Sequence, residues 1–473
     1  MANLILWNSY ITQSSRLRAM RPAGPHILAS WLNQHGYSVK VIDFCNLIDP
    51  ADLADITFNH IDSTTIAIGA SSTFWGRKKK STFYEPNWLI EARKLVESKY
   101  SNLEWLLGGY NNEREYKIIR FKWNFMVSRF AEDILLKYMN EKSGKITLRS
   151  EFDIVTSESK FLDGLGITPH EVLPIEIARG CQFKCLFCVY DVDKKKNSYI
   201  KDMRNVENEL LSNYYKYGTT RYNIVEETVN ESYEKIAKLA DVASKLPFQL
   251  EWVGFNRLDL IGNRPEALEL IEASGLKGSF FGIESFTPST SRKVGKAWIG
   301  LNAKDYLLYL RERWDNKISW TLSLIVGLLD DTEKDLDKIN KWLIDNKMLN
   351  WIWWPLYIKN KSVHYSNRHT SLLNELDINH EEYGYTFIDK FTWKNANWTL
   401  ETANKKADLL RKEAFPYLTS TNVWDAAEIA SAGFPLVETL FTKFQTELQF
   451  SLIENSVIKL VDDYVRYQKT INF

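Results

Sequence analysis

Short apolar runs separated by amphipathic stretches organise the chain. Leu4-Ile-Leu-Trp7, Val39 to Phe44, Thr65 to Gly69, Leu103 to Leu107 and Trp123 to Val127 have the length of buried strands. Between them, Ile27 to His35, Trp88 to Ser98 and a stretch reaching Met139 carry helical spacing. Pro22-Ala-Gly-Pro25 opens the first helix and Gly36 closes it. Buried strands alternating with helices predict a parallel sheet covered on both faces. Ligands of such sheets sit beyond the carboxyl ends of the strands. Ser71, Ser72 and Thr73 follow the third strand and Gly108 and Gly109 the fourth, at that edge.

Residues 141–172 are polar and glycine-containing and read as a linker. A second strand–helix series follows. Its strands are Pro174 to Ala178, Tyr222 to Glu226, Phe248 to Val253, Ser279 to Ile283, Ser319 to Val326 and Trp351 to Tyr357. Its helices are Arg204 to Tyr215, Glu231 to Lys245, Pro265 to Ser274, Asn302 to Trp314 and Thr332 to Asn346. Pro265 and Gly275 mark the two ends of one helix, and Asp331 or Thr332 caps another. Beyond residue 358, His364, His369 and His380 show no ligand spacing, and the chain is mainly helical from Thr402, with helical periodicity over 446–468. Ten of the seventeen tryptophans lie after residue 290. Alternation puts Trp351 and Trp353 on one face of their strand and Trp354 on the other; either face lines a chamber or builds the core. The expected fold class is α/β: a Rossmann-like doubly wound domain (1–140), a linker (141–172), a partial (β/α)6 barrel (173–357) and a mainly helical C-terminal region (358–473).

Composition narrows the function classes. The 60 basic and 60 acidic side chains balance, so no general electrostatic grip on nucleic acid is expected. Arg77-Lys-Lys-Lys80 and Lys194-Lys-Lys196 read as solvated loops. The N-terminus lacks the basic start and long apolar run of a signal peptide, and no stretch is long enough to span a bilayer. Four cysteines suit a reducing compartment, and a cytoplasmic protein is expected.

Three of those four cysteines lie in one loop, Cys181-Gln-Phe-Lys-Cys185-Leu-Phe-Cys188; the other is Cys45. Three closely spaced thiolates suit an iron–sulfur cluster with one iron left open to a small molecule. A zinc site needs a fourth ligand, and no paired Cys or His motif lies nearby. With Ala178-Arg-Gly180 before it, the Cys-x3-Cys-x2-Cys loop resembles the signature of radical S-adenosylmethionine (SAM) enzymes. The resemblance implies a [4Fe-4S] cluster on Cys181, Cys185 and Cys188, with SAM on the open iron. Reductive cleavage of SAM then gives a 5′-deoxyadenosyl radical, and the electron comes from a reduced flavodoxin- or ferredoxin-type donor. It further implies SAM contacts at strand ends. Glu226 and Glu227 fall at the second-strand motif, Glu284 and Ser285 at the Gly-x-Glu-Ser motif, and Ile325 and Gly327 at the adenine-packing strand. Lys296 matches a lysine of the family, and the guanidinium of Arg257 suits the SAM carboxylate.

The first domain resembles the cobalamin-binding domain that precedes many radical SAM domains. The matching pieces are Pro22-x-Gly-Pro25, Trp31 to Val39 with Asp43, Ser71-Ser-Thr73 and Gly108-Gly109. That resemblance implies cobalamin as an additional cofactor, held at Ser71, Ser72, Thr73, Gly108 and Gly109. The Asp-x-His-x-x-Gly loop that supplies a lower cobalt ligand is missing, and His26 and His35 read as helix residues. With cobalamin, methyl transfer to an unreactive carbon or a radical rearrangement is expected; without it, hydrogen abstraction. The alternatives are a methylthiotransferase, which needs a second three-Cys set, and a cluster-bearing binding protein without catalysis.

Overall fold

The computed structural model describes residues 2–9, 19–71, 77–78, 82–83, 85–108, 122–127, 130–144, 152–188, 199–296, 303–360, 374–389 and 392–471. Ser72, Thr73, Gly109, His364, His369 and Lys194 to Lys196 lie outside these residues.

The N-terminal apolar runs form strands β1 (Leu4–Trp7), β2 (Val39–Ile42), β3 (Ala67–Ser71), β4 (Glu104–Gly108) and β5 (Phe125–Val127). All pair in parallel in the order β2-β1-β3-β4-β5, a doubly wound sheet whose direction of winding reverses between β1 and β3. The helices between them are α1 (Ala23–Gln34), α2 (Pro50–Phe58) and α3 (Asn87–Lys99), with α4 (Glu132–Lys142) after the last strand. Helix α1 starts ahead of the expected Ile27, because Pro25 is tolerated in a first turn whose N–H groups have no partner. Helix α2 was not expected. Asp49 caps it, Pro50 sits at its first position, and Leu53, Ala54, Ile56 and Thr57 are buried.

The second sheet contains β6 (Leu173–Ile175), β7 (Arg221–Ile224), β8 (Glu251–Asn256), β9 (Leu276–Glu284), β10 (Ser319–Val326) and β11 (Trp351–Pro355). They are parallel and in chain order, as six successive strand–helix units require. Helices α5 (Met203–Tyr217), α6 (Tyr233–Lys245), α7 (Leu258–Gly262), α8 (Pro265–Ala273), α9 (Pro288–Lys293), α10 (Ala303–Trp314) and α11 (Glu333–Asp345) connect them. Thr332 is the cap of α11 and exchanges a capping box with Asp335, while Asp331 is buried one residue earlier.

Alternation splits the barrel residues cleanly. Trp252, Phe281, Leu322, Leu324, Trp351 and Trp353 share a core with Leu239, Ile271, Leu307 and Leu343 of the helices. Trp351 and Trp353 both donate Nε1–H to Asn340 Oδ1 on α11, at 3.0 and 3.1 Å. The opposite set faces the barrel interior: Val253, Phe255, Gly278, Phe280, Ser319, Thr321, Ser323 and Trp354 fall there by register. Of the three crowded tryptophans, Trp354 faces the chamber and is 47% exposed.

The C-terminal helices are α12 (Glu375–Asn379), α13 (Leu400–Ala414), α14 (Val423–Ser431), α15 (Leu436–Phe441) and α16 (Glu447–Thr470). Helices α14 and α15 close the amino end of the barrel. Val423, Ala426, Ala427 and Leu440 pack with Val253, Val423 N donates to Thr321 Oγ1, and Ser319 Oγ donates to Leu440 O. Helix α16 instead covers the N-terminal sheet, where Ile453, Val457, Val461 and Tyr464 join Ile5, Trp7, Ile42 and Phe44.

A buried charge cluster ties the sheets together. Arg21 donates to Asp43 (2.5 Å), to Glu171 (2.6 and 3.1 Å) and to the carbonyl of Leu165 (3.0 Å). Asp43 also accepts from Asn8 (2.7 Å), lies 2.9 Å from His26 Nε2, and its N–H donates to Tyr464 Oη. Burial opposes charge on Asp43, yet His26 and Arg21 hold it well below the usual carboxylate range. Beyond the end of α4 at Lys142, the described part of the stretch read as a linker has no helix or strand before Leu173. Its Gly164 carbonyl nevertheless accepts from Lys40 and Gln468, and its Phe161 and Leu165 are buried. Because Arg21 serves both Asp43 and Glu171, Arg21→Met should lower unfolding free energy by about 3–5 kcal/mol, leaving two buried carboxylates without their cation. Denaturant midpoints of the variant and parent check this; equal midpoints would contradict it.

Candidate active site

The cysteine loop leaves the carboxyl end of β6, where α/β barrels carry their chemistry. Ala178–Arg179 pairs antiparallel with Tyr199–Ile200 and fixes its base. Within it, Cys188 N donates to Cys185 O at 3.0 Å, a tight turn that brings those residues together. The sulfurs are half-buried. Among the described residues no three His, Cys, Asp or Glu groups converge on a point that would hold a single ion. Cys45 takes no part: it is fully buried in the N-terminal core and its thiol donates to Ile42 O at 3.0 Å.

One further strand end and the turn after α9 pack onto this loop. Gly295, in the turn after α9, is left-handed (φ +84°), and a Cβ there would lie 3.4 Å from Lys184 O and 3.6 Å from Cys185 Cα. At the end of β8, Arg257 is buried and its guanidinium lies 4.0 Å over the Phe183 ring. Its Nε and Nη2 donate to Asp259 (3.0 and 2.6 Å), Nη2 also to Gly295 O (2.7 Å), and Nη1 to Cys185 Sγ (3.5 Å). The fork expected to grip a SAM carboxylate is thus held by Asp259.

Glu284 ends β9 at a bulge where the register to β10 slips. It is a non-glycine residue in the left-handed region (φ +66°), a conformation that costs energy and clusters at functional sites. Its carboxylate lies over Gly282, where a Cβ would come within 2.5 Å of Oε1 and would push the carboxylate aside. Lys296 Nζ is 4.0 Å away. Burial pushes the Glu284 carboxyl up to about 7, against the pull of Lys296 and Arg257.

The remaining expected contacts divide. Glu226 is buried and bound to Lys235 (2.6 Å), which also meets Glu231 (3.0 Å) and the Thr228 carbonyl (3.2 Å). Burial pushes Glu226 up to about 8 despite Lys235. Glu226 Oε2 is thus tied to α6, while Oε1 is buried with no hydrogen-bond partner among the described residues. Glu227 beside it stays half-buried, its carboxyl raised by burial. Ser285 Oγ donates to Asp331 (3.0 Å) and accepts from Thr287 N (3.0 Å). Gly327 (φ +103°) lies under Trp393, whose ring a Cβ would meet at 2.6 Å. The Gly327 carbonyl accepts from Tyr385 Oη (2.9 Å) and Asn395 Nδ2 (3.2 Å). Ile325 pairs in register with Trp354 on the inner face. The cover over Gly327 was not foreseen: Tyr385, Trp393 and Asn395 lie some sixty residues away in sequence, and nothing in their local pattern names the partner.

Inside the barrel, Phe255 is 38% exposed although its strand is paired on both sides. Its ring meets Phe280 at 5.2 Å and Trp424 at 4.7 Å. With Trp354, these rings give the chamber an aromatic wall above the floor formed by α14. At the edge of the N-terminal sheet, Ser71 and Gly108 end β3 and β4 side by side. His26 and His35 lie on or just after α1, His26 at Asp43 and His35 Nδ1 at Trp31 O.

Residues 175–343 match the family described as Radical SAM superfamily. Among curated proteins, an uncharacterized methyltransferase of Pyrococcus horikoshii is 19% identical over 194 residues, which is 38% of this chain and 41% of that protein. The chain thus spans less than half of that relative's length. Among solved structures, the radical SAM methyltransferase TsrM from Kitasatospora setae superposes with a TM-score of 0.56 at 15% identity, covering 75% of this chain and 73% of that one. The cobalamin-dependent radical SAM enzyme OxsB gives 0.55 at 16% identity, covering 96% of this chain and 66% of that one. Both likenesses establish a shared fold. Among the described residues no helix is long and apolar enough to cross a membrane.

Glu284 supplies a pH test. Its ordinary value is 4.5 and its folded value about 7, so the fold favours the protonated acid. That contribution is full below about pH 4.5 and lost as the pH rises through about 7. Relative to Glu284→Gln, the parent should lose roughly 3 kcal/mol at most between pH 4.5 and 8, at 1.36 kcal/mol per pKa unit. Denaturant midpoints across that range measure it; a constant difference would overturn the burial argument. The strand-borne cysteine loop, its packing against the β8 end and the turn after α9, and the family match over 175–343 lead to one identification: the chain carries a radical SAM superfamily domain.

Proposed function

We propose that this protein is a radical SAM enzyme, with Cys181, Cys185 and Cys188 holding a [4Fe-4S] cluster. Bound there, the cluster would leave one iron open for SAM and deliver the electron for its reductive cleavage to methionine and a 5′-deoxyadenosyl radical. The observation that carries this reading is the packing of Gly295 and Arg257 on Cys185, which brings the β8 end and the turn after α9 against the cysteine loop.

The chain's own residues would bind and shield SAM. The Glu227 carboxyl and strand-end carbonyls would accept from its ammonium group. Glu284 would meet the ribose hydroxyls, with Lys296 partly offsetting the burial that favours its protonated form. Substrate would enter the aromatic chamber of Phe255, Phe280, Trp354 and Trp424, where it would cover the partly exposed rings and displace water from around a reactive radical. A flavodoxin- or ferredoxin-type protein would supply electrons.

The N-terminal sheet supports a second cofactor, cobalamin, set at the β3 and β4 ends with Ser71 and Gly108. The fold shared with OxsB, described as cobalamin-dependent, favours this. Methyl transfer or rearrangement is the reaction class that follows. His26 on α1 is bound to Asp43 after β2, so that imidazole is already engaged. The methylthiotransferase alternative is disfavoured by Cys45, which is locked in the core.

Anaerobically reconstituted protein with SAM and strong reductant should form 5′-deoxyadenosine, and Cys185→Ala should lose the EPR signal of the reduced cluster. No product from the loaded parent, or an unchanged signal in the variant, would overturn the enzyme or ligand assignment. Protein purified anaerobically with hydroxocobalamin should retain about one cobalt per chain by elemental analysis; retention near zero would leave the N-terminal domain as a scaffold.

A further inference from the structure

Arg257 is buried, yet no described acidic group other than Asp259 pairs with it. A guanidinium has five N–H groups, and four are placed: two on Asp259, one on the Gly295 carbonyl and one on Cys185 Sγ. Its backbone is fixed as well, because Asn230 Oδ1 accepts from Arg257 N and Asn230 Nδ2 donates to Arg257 O, both at 2.8 Å. Phe183, inside the cysteine loop, covers the guanidinium face at 4.0 Å. This side chain has little freedom to swing toward an incoming ligand. It is built to hold one N–H on one cysteine sulfur.

The neighbouring thiol shows the contrast. Cys181 Sγ has Thr228 Oγ1 at 3.7 Å, but that hydroxyl already donates to Glu227 O at 2.7 Å. Of these two sulfurs, Cys185 receives the cationic donor. Hydrogen bonds to the sulfurs and nearby charge are among the factors that set an iron–sulfur potential. Reduction adds one electron, and hence one negative charge, to the cluster and its thiolates. A cation that donates to a thiolate stabilises the reduced form more than the oxidised one.

We propose that Arg257 is a positioning residue that raises the reduction potential of the cluster through its hydrogen bond to Cys185, with Asp259 limiting the size of the effect. The proposal rests on the cluster assignment above but not on SAM cleavage. Asp259 aims the fork and also offsets its charge, so the two residues pull the potential in opposite directions. Gly295 O completes the setting and links it to the turn that carries Lys296.

The test is an EPR-monitored redox titration of reconstituted protein without SAM, with iron content measured in parallel. Arg257→Met should lower the midpoint, so that the reduced-to-oxidised ratio at the parent midpoint falls about tenfold, equivalent to about 59 mV for one electron. Arg257→Lys should fall between parent and Arg257→Met. Asp259→Asn should shift the midpoint upward. A loaded Arg257→Met cluster with the parent midpoint overturns the proposal. If Arg257→Met does not load iron, Asp259→Asn decides: an upward shift supports the proposal, and no shift or a downward one overturns it. A parent protein that binds no cluster would refute the cluster assignment instead.

Discussion

Parallel pairing is the constraint on which the site depends. When six strands run the same way, all their carboxyl ends lie at one end of the barrel, and loops far apart in sequence become neighbours. Cys185 and Gly295 are separated by more than a hundred residues, yet one turn rests on the other. The opposite end is free for a different job, and α14 and α15 fill it with small apolar side chains. The arrangement separates a rigid floor from a chemically equipped mouth.

The second organising force is buried charge, which is costly unless it is fully paired. Arg21, Lys235 and Arg257 are each buried, and each sits where distinct segments meet. Arg21 joins the end of β2 to the segment before β6, Lys235 joins α6 to the end of β7, and Arg257 joins β8 to the cysteine loop. An apolar contact tolerates sliding, whereas a buried guanidinium with several acceptors fixed in space does not. Charge here specifies the relative placement of elements that hydrophobic burial alone would leave loosely defined.

Much of this was legible in the sequence for identifiable reasons. The cysteine loop announces itself because all its ligands lie within eight residues. Both sheets were readable because parallel strands buried on two faces leave continuous apolar runs. Helix α2 escaped because Asp52 and Asp55 dilute its apolar face, although the Asp49-Pro50 start was a usable signal. The expected roles of Glu226 and Ser285 rested on local motif position, which does not show that Lys235 and Asp331 already engage them. The ring of Trp393 over Gly327 and the seat of Val423 against Thr321 depend on contacts across the chain that no local pattern encodes.

Helix α16 has a consequence for how the protein is made. Its Tyr464 accepts from Asp43 N, and its apolar face completes the core around β1 and β2. A ribosome delivers the N-terminal strands first, at roughly 5–20 residues per second, so they wait about 20 seconds or more for this helix to emerge. During that interval α2 and α3 already pack on this core, and only the apolar part that α16 completes stays open. The first domain thus reaches its final packing only when the last helix of the chain has been made.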